Sequence, residues 1–224
     1  MPRLARVTIP NMPVHVTQRG NYRQNIFEED CDKEFYLKSF FHYRKENKVK
    51  LYAWCLMDNH VHFILEPVDK NGLAKLFKSL NTRYSMYFNR KLKKKGRLFD
   101  DRFFSCLLDE IHFYEAIRYV ELNPFKAKME NDFGFYYWNS SQEHLKIRNQ
   151  FYLNKLPKYF RVENWWKYLK EGVHQNEITG KIESYIMSGF PLGDNLFIEK
   201  VSKKLGRDLK KKKKGRPKKV SVPI

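Results

Sequence analysis

Two β-alternating runs flank a two-residue turn at Asp58-Asn59, two long segments carry apolar residues at helical spacing, and further strand-like runs stand before and after them. The resulting order, strand–helix–strand–strand–helix–strand, predicts an α+β fold of the ferredoxin-like split βαβ type: a four-stranded antiparallel sheet with two helices on one face. With 224 residues, 42% hydrophobic and 16% aromatic, the chain can bury a real core, and wholesale disorder is excluded.

The elements follow in order. Val14 to Gly20 alternates with β-formers and stops at a glycine, as a first strand does. His15 and Gln18 on it suit a site or a surface equally. Asn21 to Asn25 is a polar loop with an aromatic and an arginine, a combination that stacks on a base and holds a phosphate, or is simply solvated. Asp30 to Asn47 has helical spacing (Phe35, Leu37, Phe40, Phe41, Tyr43) and acids in its first turn. Val49 to Met57 and His60 to Glu66 are the strand pair. Leu73 to Lys95 is an amphipathic helix that Gly96 ends. Arg102 to Leu108 is a short strand, and Asp109 to Asn123 a helix ended by Pro124, outside the core and free to lie across the other sheet face.

The pattern divides the chain into a core over 1–128, an aromatic linker with a helical appendage over 129–206 that resembles a small DNA-binding module, and a basic disordered tail over 207–224. In the appendage, Glu177 to Gly189 and Asp194 to Leu205 are amphipathic helices. Packing of these helices against the core is the equal alternative.

The formal net charge is +19 and points to a polyanionic partner. Lys200 to Lys219 holds +11 of it, which leaves the remaining chain basic as well. Cys31, Cys55 and Cys106 are odd in number, with no Cys-x-x-Cys, which argues against a disulfide framework or thiolate zinc site and fits a reducing cytoplasm. Met1 to Pro13 has no apolar core of signal-peptide length and no 18-residue apolar run occurs in the sequence, so a soluble, intracellular protein is expected.

The chemistry concentrates in two places. His60 and His62 are two apart on a strand, so both imidazoles project from one face while Val61 and Phe63 pack on the other. That is half of a divalent metal site, or two polar residues on a solvated face. On the helix from Asp109, Glu115, Tyr119 and Asn123 recur every fourth residue and share a face. An ion on His60 and His62, with Asn123 as third ligand, would polarise a phosphodiester for attack by Tyr119; alternatively, Tyr119 is a packing aromatic.

Leu56-Met57-Asp58-Asn59-His60-Val61-His62-Phe63-Ile64-Leu65 resembles the His-hydrophobe-His strand of the single-tyrosine HUH transposases, transposases of the insertion-sequence type. Val16-Thr17-Gln18-Arg19-Gly20-Asn21 resembles their first strand and turn. Arg118 to Ala127 resembles the nucleophile helix of the REP-associated branch (RAYTs), Tyr136-Tyr137-Trp138-Asn139-Ser140-Ser141 the stretch that follows, and Gly193 to Ile198 and Gly215-Arg216-Pro217-Lys218 its C-terminal pieces.

The resemblance implies that His60 and His62 bind Mg²⁺ or Mn²⁺, that Asn123 stands where relatives place a third polar ligand, and that Tyr119 forms a 5′-phosphotyrosine link to DNA. It implies a single-stranded DNA endonuclease and transesterase acting near hairpin-forming palindromes, at the nucleoid, with no nucleotide cofactor and no membrane, as monomer or dimer. The DNA contacts expected are Arg19, Asn21, Arg23, Lys78, Arg83, Arg90, Arg102, Arg118, Lys126 and Arg216. Neutral imidazoles are needed for metal, so activity should fall below about pH 6.5. The competing readings are a catalytically silent DNA-hairpin-binding protein, in which Tyr119→Phe leaves function intact, and an RNA-binding module on the same topology.

Overall fold

The structure, a computed structural model, describes residues 6–148 and 152–211. Four strands, β1 (Val14–Arg19), β2 (Val49–Met57), β3 (His60–Pro67) and β4 (Phe104–Leu107), form one antiparallel sheet in the order β2-β3-β1-β4. This is the α+β architecture the sequence predicts. Two helices, α1 (Asp30–Glu46) and α2 (Gly72–Lys91), cover the face on which Val16, Trp54, Val61 and Phe63 are buried. A capping box between Glu29 and Asp32 starts α1. Phe40 of α1 stacks on Phe63 of β3 at 4.3 Å between ring centroids, which locks the helix layer onto the strand beside the histidines.

The opposite face is also covered. Helix α3 (Glu110–Lys126) lays Phe113, Ala116, Ile117 and Val120 against Tyr52, Ala53, Cys55 and Ile64. A register shift between Leu51 and Ala53 turns both Tyr52 and Ala53 toward this second core. A short helix α4 (Ser141–His144) follows, then α5 (Trp165–Gly172), α6 (Asn176–Ser188) and α7 (Asn195–Leu205). Tyr168 and Leu169 of α5 and Ile182 and Ile186 of α6 join the second core, whereas Val201 of α7 joins the first. The C-terminal helices thus contribute side chains to both layers.

Four details differ from the sequence reading. Pro124 lies inside α3: in the last turn only one donated bond is lost, and Ala127 N still reaches Asn123 O at 2.9 Å. Helix α2 stops at Lys91 because the chain turns left-handed at Lys93 (φ 51°), before Gly96. Strand β4 spans four residues only, and Asn21–Arg23, expected as loop, makes a 3₁₀ turn. Among the described residues no helix is long and apolar enough to cross a membrane. Most of the basic tail, with Arg216 and its Gly-Arg-Pro, lies outside the described residues.

Candidate active site

Pairing of β1 with β3 sets Thr17 opposite His62 and Arg19 opposite His60, so side chains of both strands meet on the α3 side of the sheet. The rings of His60 and His62 lie 4.9 Å apart between centroids, and His15, the inward neighbour on β1, lies 5.1 Å from His62. Tyr119 descends from α3 onto this cluster, with its ring 5.5 Å from His62 and 5.6 Å from His15. His60, His62, Tyr119, Arg19, Arg23 and Glu183 of α6 share one open cavity of about 420 Å³.

Hydrogen bonds orient the imidazoles. Asn59 Oδ1 accepts from His60 Nδ1 at 2.6 Å, which leaves His60 Nε2 as a lone-pair donor to a ligand. His62 Nδ1 and His15 Nε2 are 3.0 Å apart, and His15 Nδ1 is buried with no partner. Burial, and then the Arg19 charge, lowers the His60 pKa to about 4 against the pull of Asp58. Burial lowers that of His15 to about 3 and, with its two histidine neighbours, holds His62 well below its usual value. All three rings are therefore neutral at physiological pH, the form that ligates metal. Two imidazoles with their second nitrogens engaged match the donor chemistry of a divalent ion whose other positions are open. Among the described residues no group of three or more His, Cys, Asp or Glu side chains is placed to hold one.

Tyr119 is 7% exposed. Burial pushes its phenol pKa up; a hydrogen bond from the Asn123 side chain opposes this, and the Glu183 carboxylate adds to it. Its hydroxyl donates to Glu183 Oε1 at 3.4 Å. The helix is anchored two residues further on. The buried Glu121 carboxylate accepts from Ser140 Oγ and His144 Nδ1, each at 2.6 Å, and from Trp165 Nε1 at 2.8 Å. Ser140 Oγ in turn accepts from Trp54 N on β2 at 3.1 Å, and Asn139 Nδ2 donates to Glu121 O at 3.0 Å. The Trp138-to-Ser141 stretch thus ties α3 to the open edge of β2.

The remaining expected residues are dispersed. Arg19 is held by Asp100, Nε at 2.9 Å and Nη2 at 2.8 Å, and Arg23 is exposed at the cavity mouth beside Tyr22, 94% exposed. Asn21 is half-buried, its backbone N bonded to Leu98 O. Asn123 does not line the cavity; its amide donates to Tyr119 O at 3.1 Å. Arg118 is no surface contact: it is buried, donating to Glu115 Oε2 at 2.6 Å and Gln175 Oε1 at 2.7 Å. Lys126 is likewise occupied, donating to Thr179 Oγ1 at 2.6 Å, and burial lowers its pKa. Lys78, Arg83 and Arg90 line a groove between α1 and α2, on the far side of the sheet from Tyr119. Arg102 is exposed just before β4. Glu183 was not anticipated, since nothing in its local sequence marks it.

The overall fold is similar to that of a REP-associated tyrosine transposase solved bound to a REP hairpin: 13% identity, 73% of this chain and 96% of that chain covered, TM-score 0.52. A transposase candidate from Deinococcus radiodurans R1 is similar over 58% of this chain and 97% of its own, at 13% identity and TM-score 0.38. No match was found among curated proteins. The sequence profile of IS200-like transposases matches residues 8–123, from the residues before β1 to the turn of α3 below Tyr119, and the chain belongs to that family.

Proposed function

We propose that this protein cleaves and rejoins single-stranded DNA beside hairpin-forming repeats through a 5′-phosphotyrosine intermediate. The observation that carries the reading is the convergence of Tyr119, from α3, and His60 and His62, from β3, on one cavity. His60 and His62 are the side chains that would hold Mg²⁺ or Mn²⁺, which when bound supplies Lewis-acid polarisation of a phosphodiester. Tyr119 Oη attacks the phosphorus; the new Oη–P bond replaces the P–O3′ bond, and the 3′ oxygen takes a proton from solvent and leaves as a hydroxyl. Glu183 is placed to take the phenolic proton. Arg23 at the mouth supplies positive charge for the phosphates, and exposed Tyr22 offers a face for a base. Reversal by the freed hydroxyl rejoins the strand, so no nucleotide cofactor is consumed. Three free cysteines, two of them buried, suit a reducing compartment, and we place the activity at the nucleoid.

The test is covalent trapping. Single-stranded hairpin DNA labelled at either end is incubated with the protein and Mn²⁺ and run on a denaturing gel. A metal-dependent adduct on the 3′ fragment, absent in Tyr119→Phe and in His60→Ala/His62→Ala, is expected. Tight binding by all three proteins with no adduct would replace this reading with the silent hairpin-binding one.

A further inference from the structure

The cavity holding Tyr119 does not end at β4. Phe104 and Met187 line both it and a narrow cleft beyond, of about 40 Å³. Arg6, Arg102 and Phe103 line both that cleft and a third hollow of about 420 Å³, which also takes in Lys70 and Arg207. Through these shared walls the three spaces adjoin as a row of hollows, a surface trough that passes β4, an edge strand of the sheet.

The far end of the trough is cationic. The Arg6 guanidinium stacks on Phe103 at 4.0 Å from the ring centroid, with Arg102 as a like-charged neighbour and Asp101 the acid that faces it. Burial and the Arg102 charge both lower the Arg6 pKa, the signature of cations held together in a partly desolvated place. An anion among Arg6, Lys70, Arg102 and Arg207 relieves that repulsion. A free small anion would need only the far hollow; a polyanion starting at the scissile phosphate can lay its next phosphates along the adjoining hollows.

We propose that this trough carries the single-stranded nucleotides on one side of the scissile phosphate, with Arg6, Lys70, Arg102 and Arg207 holding successive phosphates. The inference rests on the cavity being the cleavage site.

Binding is measured in the uncleaving Tyr119→Phe background, so it is read independently of strand cleavage. Two fluorescent hairpins are compared, one with a single-stranded extension on its 5′ side only and one on its 3′ side only. In Arg6→Gln/Arg102→Gln, affinity for one of the two hairpins should fall roughly tenfold, and its log–log salt slope should become shallower by about 1.4, or about 0.7 per single-strand phosphate contact. The other hairpin should be unaffected. Lys155→Gln/Lys158→Gln, an equal charge change on exposed residues outside the trough, should alter neither. Lys70→Gln/Arg102→Gln, both exposed, repeats the test without disturbing the Arg6–Phe103 stack. Equal loss on both hairpins, or loss on neither, overturns the proposal. Side-selective loss, together with no adduct from the Tyr119-containing protein in the trapping assay, overturns the cleavage reading and leaves a strand-binding trough.

Discussion

His15 Nε2 and His62 Nδ1 lie 3.0 Å apart on adjacent strands, so the central imidazole of the site is oriented by a buried neighbour. A ligand on His62 Nε2 requires that nitrogen bare, which makes His62 Nδ1 the donor and His15 Nε2 the acceptor. His15→Phe keeps the bulk and removes the acceptor. Mn²⁺ affinity, read by titration calorimetry on protein shown folded by circular dichroism, should fall roughly 10–100-fold. Unchanged affinity would mean that packing alone sets the ring of His62.

The same burial gives a pH prediction. In the folded protein His60 titrates at about 4 and His15 at about 3, both below the ordinary value of 6.5. Above 6.5 neither the folded nor the unfolded chain binds these protons, and the stability is fully present. As pH falls from about 6.5 toward 4 the unfolded chain takes up protons that the folded chain refuses, so stability declines across that window. Histidine NMR titration should find His60 and His15 neutral at pH 5.5. The fall in activity expected near pH 6.5 is correspondingly displaced to lower pH.

Local periodicity made much of this fold legible. Alternation fixed the side of β3 that His60 and His62 share, and helical spacing located α1, α2 and α3. Even the exile of Lys78, Arg83 and Arg90 was implicit, because both crossover helices must pack on the Val61 and Phe63 face, away from the imidazoles. Long-range partners were not legible. Arg118 and Lys126 read as surface cations until Gln175 and Thr179, about 50 residues on, occupy them. His15 acquires its role only through strand register, and Glu183 only through the docking of α6.

Glu121 concentrates the anchoring of the nucleophile helix, since Ser140, His144 and Trp165 all donate to one fully buried carboxylate. Glu121→Ala leaves three donors without their acceptor in the core. A loss of about 3 kcal/mol is expected from urea denaturation. Because Tyr119 sits two residues away, adduct yield at temperatures where the variant remains folded should fall as well. A variant with wild-type stability would show that the carboxylate is dispensable to α3.

Glu183→Gln separates two roles that the geometry allows. Its carboxylate, 3.4 Å from the Tyr119 hydroxyl, raises the phenol pKa and also accepts the hydroxyl's hydrogen bond. Removing the charge makes the phenol more acidic, so a bystander carboxylate predicts faster adduct formation in the variant at neutral pH. A general base predicts the opposite: the rate falls roughly 100-fold although the phenol is easier to ionise. The pH–rate profile distinguishes this from simple misplacement, because loss of a base should restore much of the rate at high pH, where hydroxide removes the proton instead. We expect the fall and the alkaline recovery. A rate that rises at neutral pH would assign the proton to bulk water and leave Glu183 as an electrostatic brake on the nucleophile.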